Sequence, residues 1–521
     1  MSRFLQAGDA QSPEGGLQQG VLARHACCCA QISLPKKEQI AVPELQSWPA
    51  QQCHRGACFA RVMQRYFKMK SFGLTGLGGR HSMLAGAVVL LLAACGGGGS
   101  GTPTAQPPEV PVARHVIGGT LSGITSGTLV LQNNAGDELA LSANGGFNFA
   151  TSIEQGSRYE VTALKQPLWQ FCSVNNDRGQ AAADVTNVAV HCEAAQATVS
   201  TLAGSGTDGM ADGEGPDAQF KLPRGVTVDA AGNVYVADSL NLRLRLVSPS
   251  GTVTTLAGGG LDDTLEQPFG LALDADGNVY LTELWGHKVK KIAPGPVVST
   301  VAGSGSAGSV DGNGVNASFN QPAGIAIDAQ GNLLVADSLG RKIRKITPAG
   351  EVSTFAGSRS GTPGTADGTG ADARFMMPAG ITIDAKGNLF VTDFNSHVIR
   401  KITPQGMVST PYGKIDAHGS EDGHGNNASF NAPVGIAIDS SGSLYVADSG
   451  SHVIRRITPD GMVSTLAGTP TALGAQNGVG AAARFWDPYS VAVDASGNVY
   501  VADKNNHQIR KITPTRAVPV P

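Results

Sequence analysis

Hydrophobic and polar residues alternate in short runs along most of this chain, and glycine-rich turns separate the runs. One stretch reads Gly435–Asp439, Leu444–Asp448, His452–Pro459 and Val463–Gly468, with branched or aromatic residues at alternate positions. Alternation over about four to eight residues is typical of strands with one buried face. The turn Ser440–Ser443 supplies a glycine where a tight hairpin needs a positive φ. The pattern predicts an antiparallel unit of four strands.

The four-strand unit recurs through the C-terminal part of the chain. A turn of the form Asp-x-x-Gly marks each copy, with its glycine at Gly232, Gly277, Gly331, Gly387, Gly442 and Gly497. A period of about 50 residues with several short strands per copy is typical of β-propellers. The six copies predict six blades.

The order of the strands predicts how the ring of blades closes. A strand similar to Val463–Gly468 occurs at Val199–Gly204, before any other strand of the first copy, whereas the sixth copy ends without one. We predict that Val199–Gly204 completes the sixth blade. Closure of this kind protects sheet edges that would otherwise aggregate.

The third strand and the turn before it carry a recognisable motif. Tyr500–Ile512 and Phe390–Ile402 closely resemble the NHL repeat, and the resemblance extends over about 197–514 and all six copies. It implies an all-β chain in which a six-bladed β-propeller of the NHL type occupies residues 197–514. A smaller β domain precedes this propeller.

An apolar run after a basic stretch predicts export. Residues 69–94 read as a signal peptide, because Lys70 and Arg80 precede the uncharged run Met83–Ala94. That run is too short to span a bilayer comfortably, and small residues follow it.

The end of the signal, Leu92–Cys95, resembles the lipobox of bacterial lipoproteins. The resemblance implies lipid attachment at Cys95 and a partner membrane in the cell envelope. Gly96, where an aspartate would favour the inner membrane, favours the outer membrane, facing the periplasm or the cell surface. The Gly/Ser-rich and then Pro-rich residues 95–114 predict a flexible linker.

Residues 1–68 do not fit a signal peptide that begins the chain. We interpret them as a misassigned gene start or a disordered extension, with Met63 or Met69 as the true first residue. Signal peptides run to about 30 residues, which favours this interpretation. The alternative is a real but unusually long n-region of the signal peptide.

Residues 115–193 predict a small β-sandwich, because short alternating runs fall between turns such as Asn133-Asn134. The segment is similar to small domains of bacterial surface lipoproteins. With Cys95 modified and the signal removed, Cys172 and Cys192 are the remaining cysteines. Exported compartments are oxidising, so we predict a Cys172–Cys192 disulfide. We expect the domain to act as a spacer or to add stability.

Charge excludes one class of partner. The chain has 38 Lys and Arg against 41 Asp and Glu, a formal charge of −3. Nucleic-acid binding needs a clearly basic face, so we expect no nucleic-acid partner. We expect the chain to be a monomer.

Candidate binding residues are those that break the repeat. In propellers the start of the innermost strand faces the channel mouth, and here that position, the x of Pro-x-Gly/Ser, is occupied by Arg224, Phe269, Ala323, Ala379, Val434 and Tyr489. Large residues replace small ones at Arg224, Phe269 and Tyr489, with Trp486 beside them. Trp285 lies in the shorter second copy. Aromatic residues and arginine are enriched at binding hot spots, so we predict that these five contact a ligand, with packing between blades as the alternative.

The same ring argues against catalysis. Propeller lactonases and lyases hold a metal on the axis with carboxylate, amide or imidazole groups, and this ring has none. A Ser/His/Asp motif of the nucleophilic type is also missing from the sequence. We therefore assign no catalytic residue, no metal ligand and no cofactor.

Two repeated sets need a separate interpretation. Asp448, His452 and Arg455 recur in similar form in the other blades, which favours a structural role because every blade has the same folding problem. Loops such as Asp422–Gly425 each offer one carboxylate, against about six to eight oxygens for calcium. One carboxylate is too few, so we favour a structural role for these loops, with calcium binding as the alternative.

Together these observations predict an envelope lipoprotein whose propeller binds a protein, peptide or glycan without catalysis. The alternative is a propeller enzyme of the lactonase or lyase class.

Overall fold

A computed structural model describes residues 111–260, 265–295 and 297–517. The expectations for residues 1–110, including the signal peptide and Cys95, lie outside these residues. Within the described part of the chain, the helices are nine 3₁₀ turns of three residues each. No helix there is long and apolar enough to cross a membrane.

The first domain is a small sandwich of two four-stranded sheets, ordered β5-β2-β10-β8 and β4-β3-β7-β9, with β1 and β6 paired beside them. Its strands are β1 (Arg114–His115), β2 (Ile117–Ser122), β3 (Leu129–Asn133), β4 (Asp137–Leu141), β5 (Gly145–Asn148), β6 (Ile153–Glu154), β7 (Arg158–Lys165), β8 (Gln170–Asn175), β9 (Arg178–Gln180) and β10 (Val185–Ala194). Both sheets contribute to one buried core that includes Ile117, Leu129 and Leu131.

The predicted disulfide between Cys172 and Cys192 is confirmed. The two cysteines lie directly opposite each other on β8 and β10. Both side chains are buried in the sandwich core. The bond therefore ties two neighbouring strands of one sheet together.

Six blades follow, and the predicted all-β propeller is confirmed. The strands of the ring are β11 (Gln196–Ala203); β12 (Gly213–Glu214), β13 (Pro223–Val228), β14 (Val234–Asp238), β15 (Arg243–Val247) and β16 (Thr252–Gly258) in blade one; β17 (Pro268–Leu273), β18 (Val279–Glu283), β19 (Lys288–Ala293) and β20 (Val297–Ala302) in blade two; β21 (Gly312–Asn313), β22 (Pro322–Ile327), β23 (Leu333–Asp337), β24 (Lys342–Ile346) and β25 (Glu351–Ala356) in blade three; β26 (Gly368–Thr369), β27 (Pro378–Ile383), β28 (Leu389–Asp393), β29 (Val398–Ile402) and β30 (Met407–Tyr412) in blade four; β31 (Gly423–His424), β32 (Pro433–Ile438), β33 (Leu444–Asp448), β34 (Val453–Ile457) and β35 (Met462–Ala467) in blade five; and β36 (Gly478–Val479), β37 (Pro488–Val493), β38 (Val499–Asp503) and β39 (Gln508–Thr515) in blade six.

Each blade has the four predicted antiparallel strands, and five blades add a strand of two residues on the outer edge. Among the described residues, blade two has the four long strands without the short edge strand. The extra strand was not predicted because two residues are too short to show an alternating pattern.

The hairpin between the first two long strands of a blade is built as the turn pattern predicted. In blade six, Asp494 accepts hydrogen bonds at 2.9 Å from the backbone N–H groups of Ser496 and Asn498. Gly497 between them has a φ of +82°. A side chain would be strained there, which explains the glycine.

The ring closes through β11, as predicted. Val199 on β11 pairs with Ile512 on β39, and the two strands run antiparallel. β11 also pairs with the two-residue strand β36. The first and last parts of the propeller sequence therefore share one sheet.

The sandwich packs directly on the propeller. Trp169 is 3% exposed and belongs to a core cluster of blades five and six. Its ring lies 6.3 Å from that of Tyr445. The backbone carbonyl of Trp169 accepts a hydrogen bond from Ala195, between β10 and β11. The sandwich is thus attached where the ring closes.

Candidate functional site

The six innermost strands begin together at one end of the channel, which we call the mouth. Each begins with a buried proline that pairs with the last residue of the next strand, as Pro488 does with Asp503. The residues after these prolines form the mouth ring, consisting of Arg224, Phe269, Ala323, Ala379, Val434 and Tyr489. Four of them share one buried cluster, against which Tyr489 packs. The structure thus brings the predicted ring positions together.

The three large residues of the mouth ring are in mutual contact. The rings of Phe269 and Tyr489 meet edge to face with centroids 5.5 Å apart. The Arg224 guanidinium carbon lies 5.6 Å from the Phe269 centroid and 5.4 Å from the Tyr489 centroid. These distances are within the range of cation–π attraction. Phe269 is only 8% exposed, so most of its side chain is packed in the wall of the mouth and little of it is open to solvent.

A channel of about 270 Å³ lies below the mouth ring, and the backbones and small side chains of the six innermost strands line it. A Cβ added at Gly225 would lie 1.8 Å from the carbonyl oxygen of Phe269. Glycine therefore occupies this position in five of the six innermost strands, where neighbouring strands approach each other. Blade six has Ser490 at this position, and its hydroxyl accepts a 3.4 Å hydrogen bond from the Val226 N–H.

An apolar rim surrounds part of the mouth. The turn after the second long strand presents Leu240, Trp285 and Leu339 in blades one to three, with exposed fractions of 37%, 63% and 37%. The equivalent residues in blades four to six are the polar or small Asn395, Gly450 and Asn505. Trp486, 41% exposed, extends the rim into blade six. The rim therefore covers blades six, one, two and three.

Two lysines near the mouth already have acidic partners. Lys504 pairs with Asp487, and Lys221 pairs with Asp208 at 3.2 Å. Lys504 also lies 4.5 Å from the centroid of Tyr489. Burial raises the pKa of the Tyr489 hydroxyl, with the charge of Arg224 opposing the shift. Tyr489 therefore stays neutral at physiological pH.

The repeated aspartates and arginines hold five of the six blades together. Arg455 is fully buried and donates to Asp448 at 3.3 Å and to Asp422 at 2.8 Å. Its guanidinium carbon lies 5.2 Å from the centroid of buried Phe430. Burial raises the pKa of Asp448 to about 7, and the charge of Arg455 opposes that rise. The same arrangement recurs at Arg245, Arg344, Arg400 and Arg510.

The repeated histidines join one blade to the next. The Nδ1 atom of His507 accepts a 3.2 Å hydrogen bond from the N–H of Leu222, which links blade six to blade one. Equivalent bonds join His287 to Gln321, His397 to Ala432 and His452 to Asp487. Burial lowers the pKa of His287, His397 and His507. The sequence did not reveal these contacts, because the partners lie in different copies of the repeat.

Blade two departs from this scheme. Glu283 replaces the buried aspartate, and Lys290 stands opposite Leu281, where the other blades have arginine. One carboxylate oxygen of Glu283 accepts a 2.9 Å hydrogen bond from Glu266 N–H. Burial raises the pKa of Glu283.

Metal-binding geometry is missing from the part of the chain that the structure describes, where no three His, Cys, Asp or Glu side chains converge. The carboxylates of the Asp-Gly loops are engaged elsewhere. Asp422 binds Arg455 and accepts a 3.0 Å hydrogen bond from the Thr465 hydroxyl, and Asp212, Asp311 and Asp367 bind arginine in the same way.

The structure places the predicted residues Arg224, Phe269 and Tyr489 in one cluster, with Trp285 and Trp486 on the rim around it. Sequence reasoning missed Leu240, Leu339 and Ser490. Aligning the six copies position by position could have found them, since each occupies a site where other blades carry a different kind of residue.

Comparison with known proteins agrees with the fold. Residues 375–402, 430–457 and 485–512 match the NHL repeat. Mouse teneurin-3 is 29% identical over 228 residues, which cover 39% of this chain and 8% of teneurin-3. The NHL repeat-containing protein 2 of chicken is 35% identical over 151 residues, covering 26% of this chain and 21% of the relative. The matched residues thus span only a small part of the length of either relative.

A crystal structure of a Bacteroides thetaiotaomicron protein of unknown function superposes with a TM-score of 0.53 at 20% identity, covering 78% of this chain and 98% of that protein. At this identity the likeness concerns the fold alone. Matching repeats and matching architecture lead to the same conclusion. The chain carries NHL repeats, and its C-terminal domain is a six-bladed β-propeller of the NHL type.

Proposed function

We propose that the propeller is a non-enzymatic scaffold that binds a protein, peptide or glycan at the mouth. The observation that carries this proposal is the loss of six-fold symmetry at one end of the ring. Arg224, Phe269 and Tyr489 cluster in the mouth ring, and Trp285 and Trp486 stand exposed on the rim. Folding alone requires the same solution in every blade, so a concentrated departure points to a ligand.

The composition of this end supports binding. Tryptophan, tyrosine and arginine dominate the energetics of protein interfaces. The apolar rim adds Leu240 and Leu339 on the blades either side of Trp285, so three neighbouring blades each present an exposed apolar side chain. Exposed apolar patches of this kind commonly mark interaction sites.

The channel offers little for acid–base chemistry. Its lining is mainly glycine and aliphatic residues, with Thr227, Thr382 and Ser490 as its hydroxyl groups below the mouth. The nearby histidines and aspartates are occupied as contacts within and between blades. These features favour binding over turnover.

A pair of double variants tests the binding proposal. Phe269→Ala with Tyr489→Ala, and Trp285→Ala with Trp486→Ala, should each reduce capture of the ligand from envelope extracts by about tenfold or more, as expected for hot-spot residues. Met462→Ala is the control, because Met462 is 44% exposed and begins β35 at the opposite end of the ring.

Equal capture by all variants would contradict the binding role of the mouth. One bound metal per chain with ligands from the channel, together with turnover of a lactone, would show that the propeller is an enzyme and not a binding scaffold.

We propose in addition that the chain is a lipid-anchored envelope protein. The lipobox-like Leu92–Cys95 supports this, although it lies outside the described residues. Cys95→Ser should abolish labelling with a fatty-acid analogue and release the protein from the membrane fraction. If the variant still fractionates with membranes, the lipid anchor is wrong.

A further inference from the structure

Arg224 differs from the other arginines of the blade interiors in having no acidic partner. Arg245, for example, is one of the buried arginines that recur in the blades. It binds Asp238 at 2.8 Å and Asp212 at 2.6 Å. Among the described residues, no hydrogen bond or ion pair involves the guanidinium of Arg224. Its buried Nε lacks a partner, as does the Nε of Arg455, so Arg224 differs in that its two terminal nitrogens also have none. A cation held between two aromatic rings has lost part of its hydration, so an anion would compensate it strongly.

The charge of the site matches a single negative charge. Arg224 is the one cation of the mouth ring, and the neighbouring Lys504 and Lys221 are already paired with Asp487 and Asp208. A carboxylate carries one charge and accepts two parallel hydrogen bonds from a guanidinium. A phosphate monoester carries about two charges and has three acceptor oxygens, for which the mouth offers too few donors.

The surroundings of Arg224 are apolar. Phe269 and Tyr489 flank it, and Ala323, Ala379 and Val434 complete the ring. The hydroxyls of a sugar acid would meet methyl groups there and remain without hydrogen bonds, which is costly. An apolar group next to the carboxylate would instead bury its surface against these side chains.

We propose that the mouth binds a carboxylate attached to an apolar group, with the carboxylate on Arg224 and the apolar group against Phe269, Tyr489 and the small side chains of the mouth ring. The C-terminus of a peptide with an apolar last residue has this chemistry, as does a small apolar organic acid. The inference rests on the proposed binding function and narrows its ligand.

Matched acids and amides test the inference by isothermal titration calorimetry on the purified full chain. The probes are an acetylated Gly-Leu-Phe peptide and 3-phenylpropionate, each as free acid and as primary amide. We expect at least one acid to bind about tenfold or more tightly than its amide, a difference of about 1.4 kcal/mol. Tight binding of the peptide acid alone identifies a peptide C-terminus, and equal binding of both acids identifies a small organic acid.

Three variants distinguish the effect of the Arg224 charge on binding from an effect on folding. Arg224→Gln should remove the preference for the acid, and Arg224→Lys, which keeps the charge but not the paired donors, should restore part of it. Arg341→Gln is the control, because Arg341 lies on the turn between β23 and β24 at the same end and bonds to Gly361. It should keep the preference.

The inference is overturned if acid and amide bind equally, if neither binds, or if Arg224→Gln keeps the preference. The binding proposal has its own outcome. If a captured ligand is lost with Phe269→Ala and Tyr489→Ala but not with Arg224→Gln, the mouth is a binding site that does not recognise a carboxylate.

Discussion

At the scale of single residues, the interior of the propeller depends on buried charge pairs. Arg455 has no exposed surface, and its two carboxylate partners differ, since Asp448 is fully buried whereas the Asp422 side chain is 52% exposed. A buried ion pair adds little net stability, but removing one partner leaves a charge that water cannot reach. The repeated pairs therefore matter most when one member is lost.

Arg455→Leu should destabilise the protein by about 3–5 kcal/mol at pH 8, because Asp448 becomes an unpaired buried carboxylate. The loss should be smaller at pH 5. Burial already raises the pKa of Asp448 to about 7 with arginine present, and removing the opposing charge raises it further. In the unfolded chain an aspartate has a pKa of about 3.9, so between that value and the folded pKa folding takes up a proton and stability increases as the pH falls.

Urea unfolding at both pH values measures this effect. Arg359→Leu is the matched control, since Arg359 is exposed on a loop. An Arg455→Leu variant with an equal loss at pH 5 and pH 8 would show that the carboxylate does not take up the proton.

At the scale of elements, the turn between the second and third long strands has two tasks. It reverses the chain, with His507 in the left-handed region at a φ of +55°. The same imidazole accepts a hydrogen bond from blade one. Blades one and three have Leu242 and Arg341 at this position, so the contact is an addition to the fold and not a condition of it.

His507→Leu, which copies the residue of blade one, should cost about 0.5–1.5 kcal/mol at pH 8 through the lost hydrogen bond. Burial lowers the pKa of His507, so the unfolded chain binds the proton first when the pH falls below about 6.5. Wild-type stability should therefore decline as the pH falls through that value, and the variant should lack this part of the decline. The two proteins should become more alike between pH 7.5 and pH 5.

Thermal unfolding across this pH range measures the difference. Arg341→Leu, at the equivalent turn of blade three, should keep the wild-type shape of the pH profile. A constant gap between wild type and His507→Leu at all pH values would exclude protonation of this imidazole as the cause.

At the scale of the whole molecule, two connections hold the ring closed. β11 pairs with β39 over most of its length. β10, which carries Cys192, ends at Ala194 and continues almost directly into β11. The closing strand is therefore held at one end by the sandwich and along its length by blade six.

Deletion of Val199–Gly204 should leave β39 with an unpaired edge. We expect a sharply lower melting temperature and aggregation, because open edges recruit other chains. Differential scanning calorimetry and light scattering measure both effects, with Ser200→Ala, an exposed position on β11, as the control. A deletion variant that melts like wild type would show that the ring does not depend on this strand.

Removal of the disulfide by Cys172→Ser and Cys192→Ser should cost about 3 kcal/mol for a loop of this size. The sandwich contacts blades five and six through Trp169, so we also expect faster hydrogen exchange at the amides of β11 and β39. Leu164→Ala, at an exposed position of the sandwich, is the control. Unchanged exchange in blade six would make the sandwich an independent spacer.

The sequence by itself determined what is local or repeated. Alternating residues set the long strands, the Asp-x-x-Gly turns set the hairpins, and six copies with a displaced strand at Val199–Gly204 set the number of blades and their closure. The disulfide followed from the compartment and from the few cysteines that remain. Each of these depends on neighbours in the chain or on a pattern that recurs.

The tertiary structure alone decided what depends on distance between blades. His507 meets Leu222, Ser490 meets Val226, and Leu240 and Leu339 join Trp285 on one rim because the ring makes distant copies adjacent. Phe269, identified from the sequence as a contact residue, is largely buried against Tyr489 and Arg224. No single copy of the repeat contains both members of such a contact, so only the closed ring could bring them together.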